Sequence, residues 1–215
     1  MIALIVVFGI IIAIWAYIHF TADKLAQYQK TLHLRKANLV YGNNLAKISA
    51  IVLPARDSVY SKTEPIIWLY SDETYREDLY LGANSKGDVR IWLQPSTVLQ
   101  NVHIVLDSSA NNSLVSNVNK DKLPKQVINL EGNFTKNFTL YCNQGQQIIA
   151  LQIIAPDILQ YMQENLLTVD IEILDSQVAI ISKGGANSLQ GLLASIGLAN
   201  KLSKVVRAAT KVTSM

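Results

Sequence analysis

The sequence predicts an α+β protein: a strand-rich, mostly antiparallel domain with a short helix, a β-hairpin and a C-terminal amphipathic helix, carried on an N-terminal transmembrane helix. Three observations predict it. An uncharged apolar run opens the chain, short apolar or alternating runs separated by prolines fill the middle, and a long helical pattern follows a Gly-Gly pair near the end. They divide the chain into an anchor over residues 1–22, a juxtamembrane helix over 23–41, a strand-rich domain over 45–183, and a helix with its tail over 184–215.

The anchor comes first. Between Met1 and Ala22 no side chain is charged, and Ile2 to Phe20 reads IALIVVFGIIIAIWAYIHF. At about 1.5 Å per residue this run spans a hydrocarbon layer about 30 Å thick. Trp15, Tyr17 and His19 gather at its C-terminal end, where amphipathic rings favour the headgroups. A cleaved signal peptide fits less well, because no basic segment precedes the run and no A-x-A site follows it. Lys24, Lys30, Arg35 and Lys36 follow the span closely, which places the domain on the cytoplasmic side of the membrane. Sequons at Asn111, Asn133 and Asn137 matter only in a secretory lumen. Gly9 and Ala13 form one small-xxx-small pair.

Beyond the membrane, Leu25, Tyr28, Leu32 and Leu39 fall on one side of a helix that lacks Gly and Pro until Gly42. Arg35 interrupts the seam, so this helix is expected to dock on the domain instead of forming a coiled coil. Strands are expected at Ile48 to Leu53, Ile66 to Tyr70, Val89 to Leu93 and Val102 to Leu106, punctuated by Pro54, Pro65 and Pro95. The polar stretch from Asp107 to Lys125 reads as a surface loop.

From Asn137 the segments NFTLYC and QIIALQII read as two strands around Asn143-Gln144-Gly145. Pro156 starts a short helix, DILQYMQENL, and TVDIEIL and QVAIIS then form a hairpin about Asp175-Ser176. Its register sets Ile173 against Val178 and Ile171 against Ile180, while Asp170 and Glu172 project from the other face, toward water. Asn187 or Ser188 caps a final helix running to about Thr210, in which Gly191, Ser195, Ala199 and Ser203 form a small-residue ridge. This helix either docks on the domain or lies on the membrane surface, and Gly191 and Gly197 favour docking. Lys201, Lys204, Arg207 and Lys211 give it a basic second half.

The run NFTLYCNQGQQIIALQIIAPDILQYMQENLLTVDIEILDSQVAIIS, about one fifth of the chain, resembles the C-terminal segment of uncharacterised bacterial membrane-anchored proteins of unknown function. The resemblance implies a bacterial, membrane-associated setting and carries over no catalytic residue.

Half of the 215 residues are apolar and 16% are charged, enough for one core. The net charge of +3 comes without any basic block with interleaved aromatics, so no nucleic-acid partner is expected. The one cysteine, Cys142, excludes a disulfide framework and reads as a small core residue. The chain lacks the phosphate-loop, dinucleotide, nucleophile-elbow and zinc signatures. His19, His33 and His103 are dispersed, with His103 a half-buried strand residue. No catalytic, cofactor-binding or metal-ligating residue is assigned, and no cofactor or small-molecule substrate is identified. The expectation is a single-pass, non-enzymatic structural or interaction protein that touches the bilayer through residues 2–20 and works through a protein partner or its own copies. The alternative is a membrane-bound hydrolase or transferase using Asp72, Glu73, Glu77 and Asp78 of SDETYRED.

Overall fold

A computed structural model of the chain describes residues 8–12, 24–36, 67–70, 79–83, 88–93, 99, 101–108, 120–175 and 177–213. Among the described residues nine strands form one sheet: β1 (Arg35–Lys36), β2 (Ile67–Tyr70), β3 (Leu79–Ala83), β4 (Val89–Leu93), β5 (His103–Ser108), β6 (Gln126–Ile128), β7 (Phe138–Cys142), β8 (Val169–Leu174) and β9 (Gln177–Ser182). Their order is β1-β2-β3-β4-β9-β8-β5-β7-β6, antiparallel at every pairing. Among the described residues that follow β6, the α-helices are a single turn, α1 (Phe134–Asn137), then α2 (Gln147–Ile153), α3 (Pro156–Glu164) and the long C-terminal α4 (Leu189–Thr213).

Side-chain alternation gives the sheet two unlike faces. One carries Leu79, Leu81, Ile91, Ile104, Leu106, Leu140, Ile171, Ile173 and Ile180, in one core with α2, α3 and α4. On α4 the buried residues Leu192, Ile196, Ala199, Leu202 and Val206 recur at helical spacing and pack over β4 and β9. The opposite face holds a small cluster of Val105 and Ile181, with Leu123 and Tyr141 against it.

Local chemistry explains several boundaries. The β8–β9 hairpin has the expected register, Ile173 opposite Val178 and Ile171 opposite Ile180, closed by Asp175 at φ +52°. Pro156 occupies the first turn of α3, where its missing N–H costs nothing. Ser188 caps α4, its Oγ accepting the Gly191 N–H at 3.0 Å. The small-residue ridge is used: Ser195, Ala199 and Ser203 are buried, and the Ser195 hydroxyl donates to the Gly191 carbonyl at 2.9 Å. At Gly197 any side chain would overlap the Tyr161 hydroxyl, so glycine is what leaves room for the Tyr161 ring against α4.

Two expectations are corrected. QIIALQI is a helix, α2, and not a strand. Gly145 at φ +83° turns the chain, and Ala150, Ile153 and Ile154 are then buried at i, i+3 and i+4 against the core. The continuous helix over 23–41 is absent in the described part: Lys24–Tyr28 is a 3₁₀ helix, turns follow to His33 at φ +51°, and Arg35–Lys36 is a strand. Docking is nonetheless achieved, because Leu25, Leu32 and Leu34 are buried and Tyr28 packs on the core. Within the expected surface loop, residues 120–125 include a 3₁₀ turn at Lys120–Lys122.

Other expectations fall outside the described residues: the strand at Ile48 to Leu53, the SDETYRED segment, most of the loop after Asp107, and the transmembrane run except residues 8–12. Those five residues are helical. Among the described residues no helix is long and apolar enough to cross a membrane.

Candidate functional site

The sheet brings together ionisable residues that lie far apart in sequence. His103 on β5 pairs across with Leu174 of β8, and Glu172 lies two residues before Leu174, which makes His103 and Glu172 diagonal neighbours on one face. His103 Nε2 lies 2.9 Å from Glu172 Oε1, a hydrogen bond whose donor is set by the tautomer of the ring. The pair is sealed in, with His103 7% and Glu172 2% exposed. On the same face of β8, fully buried Asp170 accepts the Ser108 N–H at 2.8 Å through Oδ1. The expectation that Asp170 and Glu172 face water is thus overturned. It assumed that β8 lay at an exposed hairpin edge, whereas β5 pairs with its other side and puts it inside the sheet.

The surroundings hold His103 firmly. Its N–H donates to Gln146 Oε1 at 3.2 Å, its carbonyl accepts the Asn143 N–H at 3.2 Å, and Gln146 Nε2 donates to the Asn101 carbonyl at 2.6 Å. The start of β5 is thereby tied to the start of α2. His103 is more buried than the half-buried residue expected. Cys142, the expected core residue, is fully buried on β7, and burial pushes its thiol pKa up, which keeps it protonated and unreactive. Among the described residues no group of three or more His, Cys, Asp or Glu side chains can hold a metal ion.

A separate open groove of about 550 Å³ lies between α3 and the first turns of α4, lined by Tyr161, Asn165, Leu189, Gln190, Leu193 and Ala194. It shares no residue with the His103–Glu172 pair. Tyr161 is fixed by a bond from its hydroxyl to the Ala194 carbonyl at 3.2 Å and by Lys201, whose ammonium lies 5.1 Å from the ring centroid. Apolar side chains and two amides suit this surface to binding; it holds no acid–base pair.

Next in the chain to Asn165 of the groove is Leu166, the residue that sequence reasoning missed. The end of α3 is a Schellman turn: the Leu167 N–H donates to the Met162 carbonyl at 2.8 Å and the Leu166 N–H to the Gln163 carbonyl at 3.1 Å. Leu166 occupies the left-handed position of that turn, at φ +52°, where glycine is favoured, and its side chain is 89% exposed. The signal was a helix C-terminus followed by Leu where Gly or Asn is usual. Leu166→Gly is expected to raise stability by about 0.5–1 kcal/mol, the left-handed penalty outweighing the extra freedom of glycine in the unfolded chain. Thermal unfolding measures this, and a lowered midpoint would show that Leu166 carries no penalty in this turn.

No family model matches the chain, and no curated protein matches it. Among solved structures, the chain is similar to the crystal structure of the mycobacterial trehalose monomycolate transport factor A, TtfA, with a TM-score of 0.53 and 12% identity. The likeness covers 85% of this chain and 93% of that one. At this identity it shows the fold alone.

Proposed function

We propose that the chain is a membrane-anchored, non-enzymatic interaction protein, held by residues 2–20 in a bacterial inner membrane with its domain in the cytoplasm, and acting on a protein partner through the α3–α4 groove. The observation that carries this reading is the separation of binding surface from chemistry. The open groove is lined by apolar and amide groups, with Leu166 and Leu193 exposed at it or next to it, while His103 and Glu172 are sealed within the sheet. An exposed leucine at a left-handed backbone position contributes nothing to the core and is accounted for by a bound partner.

The anchor has support of its own. Phe8, Ile10, Ile11 and Ile12 are each more than half exposed, and residues of a helix lie about 100° apart, so no side of this turn is covered by the domain. Such an apolar turn calls for lipid around it. The fold shared with a protein described as a transport factor fits an accessory role in transport.

The test uses the full chain in membranes, crosslinked in place and captured. The wild type is expected to yield a specific partner that the double variant Leu166→Asp/Leu193→Asp loses, and a reporter fused at the C-terminus is expected to read out as cytoplasmic. Recovery of no specific partner, or equal recovery by the variant, sinks the interaction reading. An exported reporter sinks the orientation.

A further inference from the structure

We infer that the occupant of the α3–α4 groove is an acidic amphipathic helix of the partner protein, its apolar side laid along Leu189 and Leu193 and its carboxylates set against Lys201 and Lys204. The inference rests on the groove reading above and adds the chemistry of the partner. Leu189, Leu193, Gly197 and Lys201 follow one another along α4 at steps of four residues, in a single row. From Leu189 to Lys201 the row is about 18 Å long at about 1.5 Å per residue, room for about three turns of a second helix. Leu193 is 44% exposed and Tyr161 half-buried, so the apolar floor is open to a guest. An amphipathic helix fills such a floor with apolar side chains at its own helical spacing.

Charge decides what kind of helix fits. α4 has no Asp or Glu anywhere in its 25 residues, and its charged groups are Lys201, Lys204, Arg207 and Lys211. Lys201 stands at the groove itself, its ammonium 5.1 Å from the centroid of the Tyr161 ring that lines it, and Lys204 is exposed one turn further on. Neither lysine has a carboxylate partner among the described residues. The carboxylates of α3, Asp157 and Glu164, do not pair with them, and Glu164 accepts instead from Gln160 Nε2 at 2.8 Å. An apolar recess walled by a purely cationic helix is complementary to a helix with an apolar side and acidic flanks. Anionic lipid supplies the same charge, but a planar bilayer does not fill a recess between two helices, and α4 has no Trp or Phe to anchor it among headgroups.

The test uses the full chain in phosphatidylcholine nanodiscs and a pair of labelled synthetic helices that share their leucines, one with glutamate and one with lysine at the polar positions. The glutamate helix is expected to bind about ten-fold tighter than the lysine helix, by a margin that narrows as salt rises. Lys201→Glu/Lys204→Glu is expected to reverse the preference, and Lys204→Glu alone, at an exposed position, to move it part of the way. Leu166→Asp/Leu193→Asp should lose both helices. A fluorophore on Lys204→Cys, where buried Cys142 does not compete for the label, is expected to blue-shift when the glutamate helix is added and to stay unchanged when phosphatidylglycerol enters the disc. Equal binding of the two helices, binding of neither, a preference unmoved by the lysine variants, or a blue shift driven by phosphatidylglycerol alone would each overturn the inference. The groove reading falls on a different result, equal capture of the partner by Leu166→Asp/Leu193→Asp.

Discussion

Ending the chain at Asn187 is expected to abolish cooperative unfolding altogether. The truncation removes α4, whose side chains Leu192, Ile196, Leu198, Leu202 and Val206 are all buried. At about 1.5–3 kcal/mol for each large apolar side chain taken out of water, their loss comes to roughly 8–15 kcal/mol as an upper bound. That matches the whole stability of an ordinary domain, about 5–15 kcal/mol. The truncation also bares the apolar face of β4 and β9, including Ile91 and Ile180. Near-ultraviolet circular dichroism and thermal melting of the truncated protein should show no fixed tertiary packing. A melting temperature within a few degrees of the intact chain would mean that α4 is peripheral, and that its basic half belongs on a membrane surface.

The second large effect is expected from His103→Leu, which keeps the volume but takes the imidazole from a buried carboxylate. Glu172 then loses a 2.9 Å charge-assisted partner while remaining 2% exposed. Breaking one side of a buried pair costs about 3–5 kcal/mol, because the remaining charge keeps its desolvation penalty. Replacing both members with apolar residues removes that penalty, so His103→Leu/Glu172→Leu should be less destabilised than His103→Leu alone. Denaturant midpoints of the three proteins decide the matter. If the double variant is the least stable, the pair contributes net attraction and the desolvation account fails.

The difference between what the sequence disclosed and what it concealed is one of range. Signals carried within a few residues were legible: Asp175 with Ser176 between two alternating runs set the β8–β9 register, Pro156 opened α3, and Ser188 capped α4. QIIALQI was not, because a run apolar at almost every position satisfies period 2 and period 3.6 alike, and only packing on α4 decides. Residues 24–36 failed differently. Leu25, Tyr28 and Leu32 keep helical spacing, yet tight turns and a left-handed His33 bury Leu25 and Leu32 just as well. The polar pair was out of reach, since His103 and Glu172 are 69 residues apart and nothing local says that β5 lies beside β8. The groove suffered likewise: α3 and α4 were each legible, but not that Gly197 lets Tyr161 in between them.

The strand order also dictates when the molecule can close. β4 and β5 follow each other in the chain but are not neighbours in the sheet, because the β9–β8 hairpin, made some sixty residues later, wedges between them. As the chain leaves the ribosome, β1 to β4 and β5 to β7 therefore form two separate ribbons, each with a raw hydrogen-bonding edge. The edge of β5 waits for β8, complete at Leu174, and that of β4 for β9, complete at Ser182, while the apolar face of β4 and β9 is covered only when α4 follows. Long-range closure of this kind is slow, and it leaves the nascent chain open to pairing with the wrong strand until the hairpin arrives.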